Sequence, residues 1–251
     1  FDTGLTGVAL DNGDVLALAG GVGDKEGDNI FNRATQATRA PGSTIKPLSV
    51  YGPAIDENLI TYSTMIPDKG IELPGETGLW PYNYGKEGGD GTLMGVYDAV
   101  KYSRNTIAVR TLQLLTTQKA YDHLKYKLGF TTLTEEDSYS LSALALGGLT
   151  KGVYLYELAA AYQTMGNGGV YYEPSLYSKV TDSKGKVILE KDNVGINALS
   201  SEAAWITNRL MYNVVNGYSG TGTYARLGNV EVVGKTGTSN DEANLLFPGL
   251  T

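Results

Sequence analysis

Ala40-Pro41-Gly42-Ser43-Thr44-Ile45-Lys46-Pro47-Leu48 is the stretch around which the rest of the chain is organised. Ser43 and Lys46 are three positions apart, so on a helix they share one face with their side chains in reach of each other. Pro47 locates the helix start, because proline costs least near an N-terminus and lacks the N–H that would bond the Ser43 carbonyl. Ser43 is therefore expected at, or just before, the first turn. There the exposed backbone N–H groups and the positive end of the macrodipole favour negative charge developing at its hydroxyl, which suits a nucleophile. The plain alternative is a capping serine beside a solvated lysine, and the pair alone does not decide between the two.

Two further stretches change the balance. Ser103-Arg104-Asn105 and then Lys235-Thr236-Gly237-Thr238 follow in that order. S-x-x-K, S-D-N and K-T-G occur together in class A β-lactamases and penicillin-binding proteins, and three ordered motifs are far more specific than any one of them. The middle residue of the second motif is Arg104 here. Ser and Asn at that point also suit an ordinary helix cap.

The 251 residues suit one large or two-lobed domain, and 41% hydrophobic residues supply a sizeable core. The net charge is −7 and the basic residues are scattered, which argues against a nucleic-acid partner. Cysteine is absent, excluding disulfides and thiolate metal sites. His123 is the only histidine, so a Ser-His-Asp triad would need it. It lies in the helical-looking Tyr121-Asp122-His123-Leu124-Lys125-Tyr126 and is read as a surface or packed histidine, leaving a serine nucleophile dependent on a lysine base. No signal peptide or run of about 18 apolar residues is present. The chain starts at Phe1 and stops at Thr251, straight after a strand-like stretch, and is expected to be a fragment.

Along the chain, Thr6 to Leu10 and Val15 to Ala19 flank Asp11-Asn12-Gly13-Asp14, a strong hairpin signal. The Ser43 helix should run to about Glu57. The proline- and glycine-rich stretch 58–91, with Trp80 and Tyr82-Asn83-Tyr84, is too long for a plain connector and is expected to be an ordered surface bordering a cleft. Thr92 is expected to cap a helix through Tyr102, and a second helix should run from Thr106 to Thr116, placing Ser103-Arg104-Asn105 at their junction. A further helix should end at Gly129. Leu155, Leu158, Ala159 and Tyr162 have the spacing of a buried helix face. Strands are expected at Val170 to Tyr172, Tyr177 to Thr181, Val187 to Glu190 and Asn229 to Gly234. Ser200 should cap a helix that stops before Gly217. Strands at both ends with helices between indicate an α+β fold: an antiparallel sheet flanked by helices, plus a helical lobe.

Two lookalikes fail. Gly234-Lys235-Thr236 is not a P-loop, because the first glycine of that motif would be residue 229, which is Asn. Gly220-x-Gly222-x-x-Ala225 follows a helix and opens no βαβ unit, so it is not a dinucleotide fingerprint.

The chain resembles the transpeptidase domain of a class A penicillin-binding protein. The likeness extends to Phe31-Asn32-Arg33-Ala34-Thr35-Gln36-Ala37, Ala145-Leu146-Gly147-Gly148 and Gly220-Thr221-Gly222, covering nearly the whole chain. It implies that 1–251 is one domain of the serine β-lactamase/penicillin-binding transpeptidase fold, C-terminally incomplete, with a glycosyltransferase domain and an N-terminal membrane anchor outside it. It implies acyl transfer at the extracytoplasmic face of a bacterial cell membrane. Ser43 would attack the penultimate D-Ala carbonyl of a peptidoglycan stem peptide, release D-Ala, and pass the acyl group to an acceptor amine. β-Lactams would acylate the same serine. Ser43, Lys46, Ser103 and Lys235 take the catalytic roles; Asn105, Thr236, Gly237 and Thr238 bind substrate; the backbone N–H groups of Ser43 and Thr238 form the oxyanion hole. Neither metal nor cofactor is implied.

Physical chemistry accommodates those roles. A free lysine titrates near 10.4, so acting as a base near neutral pH demands a shift of roughly 4 kcal/mol. Desolvation and the second cation of Lys235 both push that way. Competing readings are a serine β-lactamase, whose hydrolytic E-x-x-N element is matched only by Glu190-Lys191-Asp192-Asn193, a D,D-carboxypeptidase, and a non-catalytic penicillin sensor.

Overall fold

The computed structural model describes residues 3–24, 27–86, 88–192, 194–239 and 244–251. At its centre is the helical run that begins at Ser43. Gly42–Ile45 forms a 3₁₀ turn, Pro47–Tyr51 a π-helical turn and Gly52–Asp56 the α-helix α1. Proline explains the change of pitch. With no N–H on Pro47, the Ser43 carbonyl takes the tighter bond from Lys46 N–H, and Gly52 N–H reaches back five residues to Pro47 O. The run is buried along most of its length, with Ile45, Leu48, Val50, Tyr51 and Ala54 almost wholly inaccessible, so it serves as the core around which other helices pack.

Those helices are α2 (Val96–Lys101), α3 (Asn105–Leu115), α4 (Thr117–Asp122), α5 (Leu141–Leu146), α6 (Leu155–Tyr162) and α7 (Ser201–Asn216). Ser200 caps α7 as expected, its Oγ accepting from Ala203 N–H at 3.2 Å. Gly129 has φ +66°, the left-handed backbone that suits glycine beyond a helix end. α6 buries Leu158 and Tyr162 but also Glu157, Ala160 and Ala161, so more than one face of it is covered.

Strands occur among the described residues as eight two-stranded antiparallel pairs rather than one wide sheet. β1 (Leu5–Val8) pairs with β2 (Val15–Ala19) in the expected hairpin. β3 (Thr38–Arg39) pairs with β8 (Val153–Tyr154), β4 (Met65–Pro67) with β7 (Leu93–Gly95), and β5 (Ile71–Glu72) with β6 (Leu79–Trp80). β9 (Val170–Tyr171) pairs with β12 (Ile196–Asn197), and β10 (Lys179–Thr181) with β11 (Val187–Glu190). β13 (Val233–Gly234) pairs with β16 (Gly249–Leu250), and β14 (Gly237–Thr238) with β15 (Leu245–Leu246). Lys235 N–H donates to Pro248 O between these last two ladders, so together they make one interrupted hairpin.

Two expectations are corrected. Thr92 does not cap a helix: Leu93 and Met94 pair with Pro67 and Ile66, and α2 starts only at Val96. The Thr92 N–H and hydroxyl instead bond the Asp90 carboxylate at 2.9 and 2.7 Å. The strand expected from Asn229 shrinks to Val233–Gly234, because Leu227 and Val230 close a tight local bridge ahead of it. The α+β class stands.

Candidate active site

Ser43 sits in the 3₁₀ turn, half-buried, on a backbone pressed from two sides. Gly42 has φ +53°, and a Cβ there would lie 2.6 Å from Thr238 O. A Cβ on Gly237 would lie 2.7 Å from Pro41 O and 2.5 Å from Thr44 Cγ2. The glycine of the third motif is therefore what lets β14 lie directly against the turn that carries Ser43. Gly147, in the stretch Ala145 to Gly148, abuts the Gly42 backbone from the other side. The turn is further fixed by the Thr44 hydroxyl donating to Pro41 O at 2.7 Å and the buried Tyr162 hydroxyl donating to Thr44 O at 2.6 Å. No hydrogen bond to the Ser43 hydroxyl is found among the described residues.

Lys46, one turn on, is 0% exposed. Its Nζ donates to Ser103 O at 2.9 Å and Asn105 Oδ1 at 2.7 Å, and lies 3.4 Å from Ser103 Oγ. Lys235 enters from the opposite side, also 0% exposed, donating to Ser103 Oγ at 2.9 Å and Thr236 O at 2.9 Å. Two buried lysines thus converge on one hydroxyl, and neither is paired with a carboxylate among the described residues. Burial, and then the charge of Lys235, hold the Lys46 ammonium well below the ordinary lysine range. Burial brings Lys235 down to about 7. A lysine in that state can take a proton near neutrality.

The remaining motif residues border this centre. The Thr236 hydroxyl shares a 2.8 Å hydrogen bond with that of Thr221, which gives Gly220-Thr221-Gly222 a contact with the third motif. Thr238 is exposed beside the serine turn. The Asn105 amide is partly engaged within the protein, accepting from Lys46 and donating to Tyr82 O at 2.8 Å. One N–H of that amide remains for a ligand.

Sequence reasoning missed Asp68. It is 3% exposed and receives Arg104, Thr106 and Asn83, joining stretch 58–91 to the second motif. The aromatic and glycine content of that stretch was the only signal, and it pointed to Tyr82 and Asn83 rather than to Asp68. His123 is packed, and burial pushes it down to about 4. Among the described residues no hydrogen bond or ion pair joins its side chain to a motif residue. Glu190 lies in β11, paired at 2.9 Å with Lys179; Asn193, the last residue of that motif-like match, falls outside the described residues. A cavity of about 550 Å³ lies between β2, Tyr156 and Glu190, and one of about 910 Å³ lies beside His123.

Comparison with known proteins identifies the family. Residues 6–243 match the family model described as penicillin binding protein transpeptidase domain. Penicillin-binding protein 1A of Clostridium acetobutylicum is 39% identical over 249 residues, covering 95% of this chain and 30% of that protein. Penicillin-binding protein 4 of Bacillus subtilis is 38% identical over 237 residues, covering 94% of this chain and 36% of that protein. The chain therefore spans about a third of the length of these relatives. Among solved structures, penicillin-binding protein 1A from Haemophilus influenzae superposes with TM-score 0.79 at 24% identity, covering 99% of this chain and 41% of that one. The D,D-transpeptidase domain of a peptidoglycan glycosyltransferase from Eggerthella lenta gives TM-score 0.78 at 20% identity, covering 99% of this chain and 69% of that one. These two likenesses bear on the fold.

Proposed function

The chain belongs to the penicillin binding protein transpeptidase domain family, and we propose that it is a serine-type D,D-transpeptidase that cross-links peptidoglycan stem peptides through an acyl-enzyme on Ser43. The observation that carries this reading is the pair of fully buried lysines, Lys46, one helical turn after Ser43, and Lys235, converging on the Ser103 hydroxyl.

The proton path follows from hydrogen-bond counting. A neutral lysine has two N–H groups and one lone pair. Ser103 O and Asn105 Oδ1 take the two N–H groups of Lys46, leaving the lone pair for the Ser43 hydroxyl proton. As Ser43 Oγ bonds to the penultimate D-Ala carbonyl carbon, its proton passes to Lys46 Nζ. The tetrahedral oxyanion falls to the backbone N–H groups of Ser43 and Thr238, where one donor is typically worth about 3 kcal/mol. When the carbon–nitrogen bond breaks, Ser103 gives its proton to the departing D-Ala amine and is reprotonated from Lys46. In the second half, the acceptor amine attacks the ester carbonyl, loses its proton along the same path in reverse, and frees Ser43. Thr236, Thr238 and Lys235 suit the terminal carboxylate that a D-Ala-D-Ala end and a β-lactam both present, while Asn105 and the Gly237 strand hold the substrate backbone.

The stem peptide, acceptor amine and β-lactams are thus the expected partners, no cofactor or metal is called on, and the site of action is the outer face of a bacterial cell membrane. No described helix is long and apolar enough to cross a membrane, so anchoring would come from elsewhere in the parent chain. Labelled penicillin followed by digestion and mass spectrometry tests the reading. The label is expected on Ser43 alone; a label on Ser103 or any other serine overturns the mechanism.

A further inference from the structure

Ser103 must hold its hydroxyl between two lysines from an unfavourable backbone. Its φ is +58°, a left-handed conformation uncommon outside glycine, at the junction of α2 and α3. On the α2 side the junction is tied by Ser103 N–H to Val100 O at 3.1 Å and Arg104 N–H to Ala99 O at 2.9 Å. On the α3 side a local cap is missing: the capping position is Arg104, whose side chain makes no cap bond. The first N–H groups of a helix need an acceptor, and here it comes from a distant loop. Asn83 Oδ1 accepts Asn105 N–H at 2.8 Å and Thr106 N–H at 3.3 Å.

Asn83 is in turn oriented by Asp68. One Asp68 oxygen accepts the Asn83 amide at 3.1 Å and the Thr106 hydroxyl at 2.5 Å; the other accepts Arg104 Nε at 2.8 Å and its Nη2. Burial raises the Asp68 carboxyl, but the hydrogen bonds from Thr106, Arg104 and Asn83 outweigh it and hold the group ionised. The Asp68 backbone is itself fixed, its N–H on Thr92 O at 2.8 Å and its carbonyl receiving Gly91 N–H at 2.9 Å. The two acceptors of Lys46, Ser103 O and Asn105 Oδ1, and the Ser103 Oγ 3.4 Å from it all hang from the junction these residues clamp.

We propose that Asp68 and Asn83 are positioning residues for the acyl-transfer step, setting the place of Ser103 between Lys46 and Lys235, and that Arg104, the middle residue of its motif, is matched to Asp68. This rests on the acyl-transfer reading above. Neither residue touches the substrate. They act by fixing the start of α3, so their loss slows the chemical step and leaves the initial docking of a β-lactam as it was.

Stopped-flow acylation by a fluorescent penicillin, using the full-length protein that carries this chain, separates the two by resolving the acylation rate constant from the preceding dissociation constant. Asp68→Asn and Asn83→Asp are each expected to slow acylation about 10²-fold with unchanged dissociation constant, the scale of a small misplacement in an assembled site. The exchanged double variant, Asp68→Asn with Asn83→Asp, restores one carboxylate facing one amide and leaves acceptors for Arg104 and the α3 N–H groups. It should recover about 10-fold or more over either single change. Losses that multiply in the double variant, single variants with wild-type acylation rates, or an effect confined to the dissociation constant each overturn the inference. Should Asp68→Asn fail to fold, Arg104→Gln carries the same expectation and the same refutation. Wild-type protein that is labelled on Ser43 while the variants react normally sinks this inference alone; wild-type protein not labelled on Ser43 sinks the acyl-transfer reading with it.

Discussion

Lys235 and Lys179 are the same side chain in two different solvents. Lys235 is 0% exposed, has no carboxylate partner among the described residues, and is brought down to about 7 by burial. Lys179 lies on β10 with its side chain 46% exposed, paired at 2.9 Å with a Glu190 side chain that is 60% exposed. Water screens the hairpin pair, and such pairs contribute little to stability or chemistry. In the site, burial lowers both lysines, and the charge of Lys235 lowers Lys46 further, so each gives up its proton more readily than an exposed lysine. A counter-charge makes a lysine inert; withholding one makes it a base, at a cost in stability that clusters at functional sites.

The largest expected effect breaks the comparison at its strongest point. Lys46→Met removes the proposed base and should slow acylation of Ser43 by about 10²–10⁴-fold, measured by fluorescent penicillin. Lys179→Met, the same change in the exposed setting, should leave the rate at its wild-type value. Comparable losses in both would mean that burial does not distinguish these lysines.

A pH series sharpens it. Acylation needs Lys46 neutral, so its rate falls as pH drops through the lowered Lys46 pKa. Burial is the first cause of that lowering and the charge of Lys235 the second. Lys235→Met removes the second cause, lets the Lys46 pKa rise, and should move the acidic limb to higher pH. The rate itself should drop about 10- to 100-fold from loss of a charge-assisted carboxylate contact. Stability depends on pH in the same direction. Between about 7 and the ordinary 10.5 of lysine, the unfolded chain binds a proton at Lys235 that the folded chain refuses. Wild-type stability should therefore rise with pH across that window and be lost as pH falls through it. In Lys235→Met the slope of melting temperature against pH should be flatter; an unchanged slope would show that Lys235 is protonated in the fold at neutrality.

How far this contrast was legible in the sequence differs by element. The three motifs, the Asn12-Gly13 hairpin and the Ser200 cap are local chemistry, in which spacing or one turn residue is sufficient. The helix start at Ser43 was legible from Pro47, whereas the proposed role of Lys46 came from the three ordered motifs and the family resemblance. The Asp68 clamp was not legible, because its acceptors and donors come from residues 68, 83, 104 and 106, and only the folded loop brings them together. Thr92 misled for the same kind of reason: its capping chemistry is real, but Leu93 and Met94 gain more by pairing with β4 than by opening a helix. Asn229 to Gly234 showed the alternation of a strand, yet a strand extends only as far as a partner does, and here that partner is Gly249–Leu250.

The smallest expected effect is at the exposed end of the comparison, and it separates a transpeptidase from a β-lactamase. Once a β-lactam has acylated Ser43, the opened ring stays attached and lies across the path of an acceptor amine, so only water can release it. Water needs a general base aimed at the ester, and such a base is typically worth 10²–10⁴-fold. Glu190 is the motif-like candidate, but it is held on β11 by Lys179 and borders the cavity lined by Val15, Tyr156 and Tyr177 rather than Ser43. The adduct should persist for many minutes, and Glu190→Gln should leave its lifetime unchanged, followed by the decay of labelled protein in intact mass spectra. Release within seconds in the wild type, abolished by that one substitution, would put Glu190 in the reaction and make the chain a β-lactamase; release within seconds that survives it would place the hydrolytic base elsewhere in the fold.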